Sequence, residues 1–506
     1  MRSWLSFSAY SLSLESQANR PSSAADSRKL DRFIPFVPAP KTLPRNVTAE
    51  TALTPETLKS THSTSLGTTV LWHAPARPQP SPSPIATAGF IVFCIYLLSG
   101  FANDWSLHLF GLKAYLSTVT LVLLPLAWFL SGNALRGFQT RAGRYWAAFL
   151  LWMLIAAPLS VWKGGSAHMI LNYVPRAYFC FFYTCSFVTS PRRCRQLMYV
   201  QVASAVALLI SCAAFGSPGG DIAGDPGNAR FRIPGSLFYA NSNDLALALL
   251  IGITSFLFLL TRPKIVPRLA GAAGILAAAF YAVQTGSRGS VIAAASLLAV
   301  LLWVSRAKWK VLALGFAALA VVGIATVAGA PSSTLHRFSL LLGDPAAATE
   351  TQADLASLAS EQQREHLFAT SLRYTLAHPV FGVGPDQFAA AVEQDADRSG
   401  RHIPWLGTHN SYTQVSSECG IPALLFYAAV IVYCLRANYR LTMRTRGRPS
   451  QCEISALSRC LLAGTCVYAV SAFFFHMAYS AHLPMLAGFT AALQLASKPL
   501  PAPNSV

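Results

Sequence analysis

Charge is what this sequence has least of. Only 12% of its 506 residues are Asp, Glu, Lys or Arg, against roughly 25% in soluble domains. Acids are the scarcer sign, 20 against 39 Lys and Arg. That deficit excludes an ordinary soluble enzyme and a wholly disordered chain. The ten cysteines contain no C-x-x-C pair, and the eleven histidines show no zinc-ligand spacing. A disulfide scaffold and a zinc centre are excluded on that basis. Trp4 to Tyr10 is too short and too polar to be the apolar core of a signal peptide.

What fills the chain instead is apolar sequence, 53% of all residues, gathered in runs of about 16–24, the length that spans a bilayer core. Twelve such runs follow Thr87: 87–103, 114–131, 145–162, 168–189, 198–216, 243–260, 267–285, 289–305, 309–329, 411–435, 456–475 and 482–497. Pro175 and Arg176 interrupt the fourth, and the last two can be divided differently around His476 to His482. The expected fold is an all-α polytopic membrane protein. Residues 1–85, rich in Ser, Pro, Ala and Thr, form a disordered cytoplasmic tail. Residues 86–329 hold spans one to nine, 330–410 a large external loop domain, 411–497 spans ten to twelve, and 498–506 a short cytoplasmic end.

The connecting loops set the orientation. With the tail inside, the inner loops carry 18 Lys and Arg against one acid, Glu453, whereas the outer segments carry 11 against 14. That asymmetry is the positive-inside pattern. It assigns the net charge of +19 to membrane orientation and not to nucleic acid. The loop from 330 to 410 is far longer than the 15 or so residues of an ordinary connection. Leu355, Leu358, Phe368, Leu372 and Leu376 recur in it near helical spacing, and His378-Pro379 ends that helix.

Few ionisable residues lie inside the spans, Arg176 being the exception. Transporters hold coupled charge near the midplane and are built from repeated halves, and neither feature is evident. The ionisable groups gather at the outer surface in four segments. Arg230-Phe231-Arg232-Ile233-Pro234-Gly235 precedes Asn241 and Asn243. Gly286-Ser287-Arg288-Gly289 makes a tight turn into a helix. Arg364 lies in the loop helix, ahead of Gly382-Val383-Gly384. Thr408-His409-Asn410 opens the tenth span. Arginine forks bind phosphate bidentately, a helix N-terminus adds backbone N–H donors, and a histidine can take a proton from a hydroxyl. Glu418, nine residues beyond His409 on one helix, lies about 13 Å away and does not orient it.

Together the segments resemble the O-antigen ligase and polymerase superfamily of bacterial envelope glycosyltransferases. His409-Asn410, nine residues and Gly420-Ile421-Pro422-Ala423 are similar to that family's H-[NSQ]-x9-G-x-x-G pattern, with Ala423 replacing the last glycine. Arg232 with Pro234-Gly235, Arg288 in Thr285–Gly289, and Pro379 to Gly384 resemble its two arginine segments and its P-x-x-G-x-G stretch. The resemblance covers roughly residues 88–497. It implies a GT-C-like fold in the bacterial inner membrane, with the long loop before span ten and the active face both periplasmic. The implied donor is a glycan on undecaprenyl diphosphate, and the acceptor a lipid A core, polysaccharide or protein hydroxyl. Membrane lipid is the only other partner, with no nucleic acid, metal or cofactor. Arg232, Arg288 and Arg230 would bind the diphosphate, His409 would act as general base, and Arg364, Asn243 and Asn410 would be secondary. The motifs are shared by ligases, polymerases and protein oligosaccharyltransferases. A glycolipid transporter or flippase is the competing class, and a non-catalytic scaffold a third.

Overall fold

A backbone in hydrocarbon must satisfy its own N–H and C=O groups, which an apolar run achieves by coiling into a helix. The computed structural model describes residues 83–497 except 102–105, 110–111, 221–228, 237–238, 306, 330–351, 399 and 401–405. Almost all of the expected tail, the C-terminal end and the first part of the long loop therefore lie outside the described residues.

Every expected apolar run holds helix. The helices are α1 (Pro84–Phe101), α2 (Leu116–Leu130), α3 (Arg141–Ala156), α4 (Lys163–Tyr173), α5 (Cys180–Phe187), α6 (Pro191–Phe215), α7 (Ser242–Leu260), α8 (Ile265–Gln284), α9 (Arg288–Val304) and α10 (Lys308–Gly329). They continue with α11 (Gln352–Ala377), α12 (Phe388–Arg398), α13 (Ser411–Thr445), α14 (Cys452–Ser471) and α15 (His482–Ala496). Among the described residues six helical segments are long and apolar enough to cross a membrane: Arg141–Leu159, Pro191–Phe215, Ser242–Leu260, Ile265–Gln284, Ser411–Thr445 and Pro449–Ser471. Pro84–Gly100, Val119–Leu130 and Arg288–Val304 are shorter apolar helices.

The fourth run is not one helix. Pro175 lacks an N–H, and a π-turn over Val174–Tyr178 separates α4 from α5. The distortion is held by aromatic neighbours. Tyr96 donates its hydroxyl to the Arg176 carbonyl, and Trp146 and Tyr178 exchange bonds with each other's backbone at 3.1 and 3.0 Å. The eleventh run ends at Ser471, short of the expected 475, and an irregular link over 472–481 follows. Two antiparallel hairpins, which the all-α expectation lacked, pair β1 (Ser106–Leu109) with β2 (Leu112–Tyr115) and β3 (Ser217–Gly220) with β4 (Ala229–Arg232). Nor is the bundle interior wholly apolar, since Gln201, Ser204, Thr254 and Ser255 are buried within it.

At one end of the bundle Glu453 accepts from Arg195 at 3.1 Å and lies 3.7 Å from Arg262. Three of the basic connections meet there. At the other end the sequence 378–387 fastens α11 to α13. Leu367, Tyr374, Val383, Phe388 and Ala391 form a small core of their own, and Thr375 bonds Ser416 at 2.8 Å. Helix α13 breaks at Gly420, whose φ of 85° and ψ of 172° no ordinary residue adopts. The break admits the 379–384 segment: Ile421 N–H donates to the Pro379 carbonyl, and Val383 and Gly384 donate to the Ser417 and Glu418 carbonyls, at 2.8–2.9 Å. A Cβ on Gly420 would lie 2.0 Å from the Val380 oxygen, and one on Gly382 2.3 Å from the Glu418 backbone. The P-x-x-G-x-G stretch is thus a clasp, closed because two backbones touch where side chains cannot. Ala423, where the family pattern has glycine, is fully buried without such an approach.

Candidate functional site

Three of the four segments marked out by the sequence meet near the start of α13, joined there by Arg364. Arg230 and Arg232 are two residues apart on β4, so their side chains leave one face of the strand. Phe231 leaves the other face and packs against the Tyr281 ring, 5.2 Å between centroids. Arg230 is buried and donates from Nε to the Thr285 carbonyl at 3.0 Å and from Nη2 to Asn243 Oδ1 at 2.7 Å. It therefore ties the first arginine segment to the turn carrying the second. Arg230 and Asn243 were both expected to touch substrate. In the structure their side chains hold each other, and Arg230 bridges β4 to the 285–288 turn.

The turn itself is formed by Gly286, at φ 59°, and Ser287, the N-cap of α9. Arg288 is the first helical residue. The Ser287 hydroxyl is buried and makes no hydrogen bond, and the same holds for Nε of Arg232. These are donors without an acceptor among the described residues, and Ser287 caps a helix N-terminus.

His409 lies in the connection into α13 with φ of 51°, a left-handed backbone rare outside glycine. The turn around it is over-determined. Thr408 Oγ1 donates to the Asn410 carbonyl at 2.9 Å, and Asn410 Oδ1 accepts from the N–H groups of Tyr412 and Thr413 at 2.9 and 3.1 Å. Asn410, expected as a secondary substrate residue, caps α13 through its Oδ1. Burial, then the neighbouring His476, Arg364 and Arg230, push the His409 imidazole down from its usual 6.5 to about 4. The ring is neutral at working pH and can accept a proton. Arg364, from α11, and Arg230, from β4, are therefore both within electrostatic reach of the histidine.

Sequence reasoning missed one residue, His476, and gave another, Glu418, no role. His476, in the 472–481 link, meets the His409 ring edge to face, 5.6 Å between centroids and 88° between planes. Its only sequence signal was a histidine just beyond an apolar run. Glu418, which sequence spacing kept away from His409, is buried and accepts from Tyr479 OH at 2.7 Å and from the Asp386 N–H at 2.9 Å. It supports the clasp. Cys419, beside it, is fully buried.

A family model described as O-antigen ligase matches residues 273–428. The match supports the superfamily that the motifs resemble, and it takes in Arg288, Arg364, His409 and Asn410. Arg230, Arg232, Asn243 and His476 fall outside it. No curated protein matches the chain significantly.

Proposed function

We propose, from the match of residues 273–428 to the O-antigen ligase family model, that the protein transfers a glycan from undecaprenyl diphosphate to an acceptor hydroxyl at the periplasmic face of the bacterial inner membrane. In this reading the twelve apolar runs are twelve crossings with both chain ends in the cytoplasm, and the described part of the long loop, with α11 and α12, caps the outer face.

The convergence of His409 with Arg230, Arg364 and the Arg288 turn carries the proposal. An acceptor oxygen attacks the anomeric carbon, the bond from that carbon to the diphosphate oxygen breaks, and its electron pair leaves on the diphosphate. The acceptor's proton passes to His409, whose neutral ring is ready to take it. Arg232 and Arg288 meet the charge that grows on the leaving diphosphate. Phosphate oxygens would also give Arg232 Nε and Ser287 Oγ the acceptor they lack, and an unpaired buried donor otherwise costs roughly 1–3 kcal/mol.

A polymerase would use the same chemistry with a growing chain as acceptor. Deleting the gene and running lipopolysaccharide, secreted polysaccharide and glycoproteins side by side names the acceptor by which glycan is lost. Complementation with Arg288→Ala or His409→Ala should leave inserted protein and no transfer. Full transfer by either variant rejects the site.

A further inference from the structure

A histidine base is commonly held in its working orientation by a third group that hydrogen-bonds its far nitrogen. Among the described residues His409 has no such partner. Glu418 is committed to Tyr479 and Asp386, and Asn410 is committed to capping α13. The ring contact on His409 comes from His476.

The backbone around His476 is fixed to the helix that His409 begins. Ser411 Oγ donates to the Phe475 carbonyl at 2.6 Å and accepts from the Met477 N–H at 3.0 Å, so one hydroxyl grips the chain on both sides of His476. Ser411 N–H donates to the Ala472 carbonyl at 2.7 Å, and Gln414 Oε1 accepts from the Ala478 N–H at 3.1 Å. The ring lies over Gly407, where a Cβ would stand 3.0–3.1 Å from its Cδ2, Cγ and Nε2 atoms. Gly407 therefore leaves room for this ring, and the ring bridges the residues on either side of Thr408.

We propose that His476 is the positioning residue for His409, setting the plane of its imidazole by edge-to-face contact in place of the missing hydrogen bond. Such contact has preferred geometry, which makes it directional, and it leaves both nitrogens of His409 for substrate. The proposal rests on the glycosyl-transfer reading for its effect on rate, but not for the ring contact itself.

The test uses the full chain in detergent, with three variants. His476→Ala removes the contact, His476→Phe keeps an aromatic edge without a nitrogen, and Gly407→Ala pushes the ring aside without removing it. One readout is the carbethoxylation rate of His409 by diethyl pyrocarbonate, followed by mass spectrometry. The other is turnover of lipid-linked donor, resolved into kcat and KM. His476→Ala and Gly407→Ala should speed modification severalfold and lower kcat roughly tenfold with donor KM unchanged, the size of a sub-ångström misplacement of a base. His476→Phe should restore both. Wild-type modification and turnover in His476→Ala overturn the proposal. So does rescue by His476→Gln where His476→Phe fails, since that would make the role a hydrogen bond. If the unaltered protein turns over no donor, the glycosyl-transfer reading fails, and the modification rates still decide the pairing. If His476→Ala does not fold, His476→Phe and Gly407→Ala carry the same comparison.

Discussion

Gly420→Ala should break the clasp that seats the 379–384 segment on α13, and the structure gives the size of the effect. The residue adopts φ 85° and ψ 172°, a region open essentially to glycine alone, and forcing alanine there costs about 1–3 kcal/mol. The new methyl would sit 2.0 Å from the Val380 oxygen, 2.4 Å from its carbonyl carbon and 2.9 Å from the Phe381 nitrogen. All three are backbone atoms, so no rotamer change relieves the clash and the 379–384 segment must withdraw. Withdrawal strains the Ile421 N–H to Pro379 bond at 2.8 Å and the Trp152 Nε1 bond to Val380 at 3.1 Å, each worth about 0.5–1.5 kcal/mol net. The total is roughly 2–6 kcal/mol. Gly235→Ala is the control, because Gly235 has φ 72° and nothing within 4 Å of the place its methyl would take, leaving only a conformational cost of about 1–2 kcal/mol. Thermal melting of detergent-solubilised protein, followed by size-exclusion chromatography, compares the two. Gly420→Ala should melt several degrees below Gly235→Ala. Equal midpoints would refute the idea that backbone contact closes the clasp.

The two arginines of β4 should separate by their bonding. Arg230→Ala strands the Thr285 carbonyl and Asn243 Oδ1 in a buried site and should lower stability by roughly 2–4 kcal/mol. Arg232→Ala removes a donor that has no partner on Nε and should melt near the wild type while losing donor binding, read by retention on donor-loaded vesicles. Glu418→Ala deprives Tyr479 OH and the Asp386 N–H of their acceptor and should cost roughly 2–5 kcal/mol, with Glu418→Gln costing less. His409 has a native value of about 4 below its unfolded 6.5, so the unfolded chain binds more protons between those limits. Its stabilising contribution is complete above pH 6.5 and is lost as pH falls towards 4. Melting temperature should therefore fall over that window more steeply for the wild type than for His409→Gln, and parallel curves would contradict it.

The sequence by itself determined where helix forms and which residue types could handle a phosphate. Apolar runs leave a backbone in hydrocarbon no alternative to helix, and interfacial arginines stand out where the charge pattern disfavours them. It also located the end of α11, because a residue before proline resists helical geometry. Only the tertiary structure decided which polar side chains are spent within the protein. Arg230, Asn243 and Asn410 look like substrate groups in a motif, and the structure adds hydrogen bonds from them to one another and to the backbone, because bond partners distant in sequence cannot be read from spacing. Arg232 Nε and Ser287 Oγ emerge as the open donors for the same reason. The pairing of His476 with His409 joins residues on separate connections, brought together because Ser411 and Gln414 hold the 472–481 link against the start of α13. Composition and periodicity act along the chain, whereas a ring contact and a shared hydroxyl act across it.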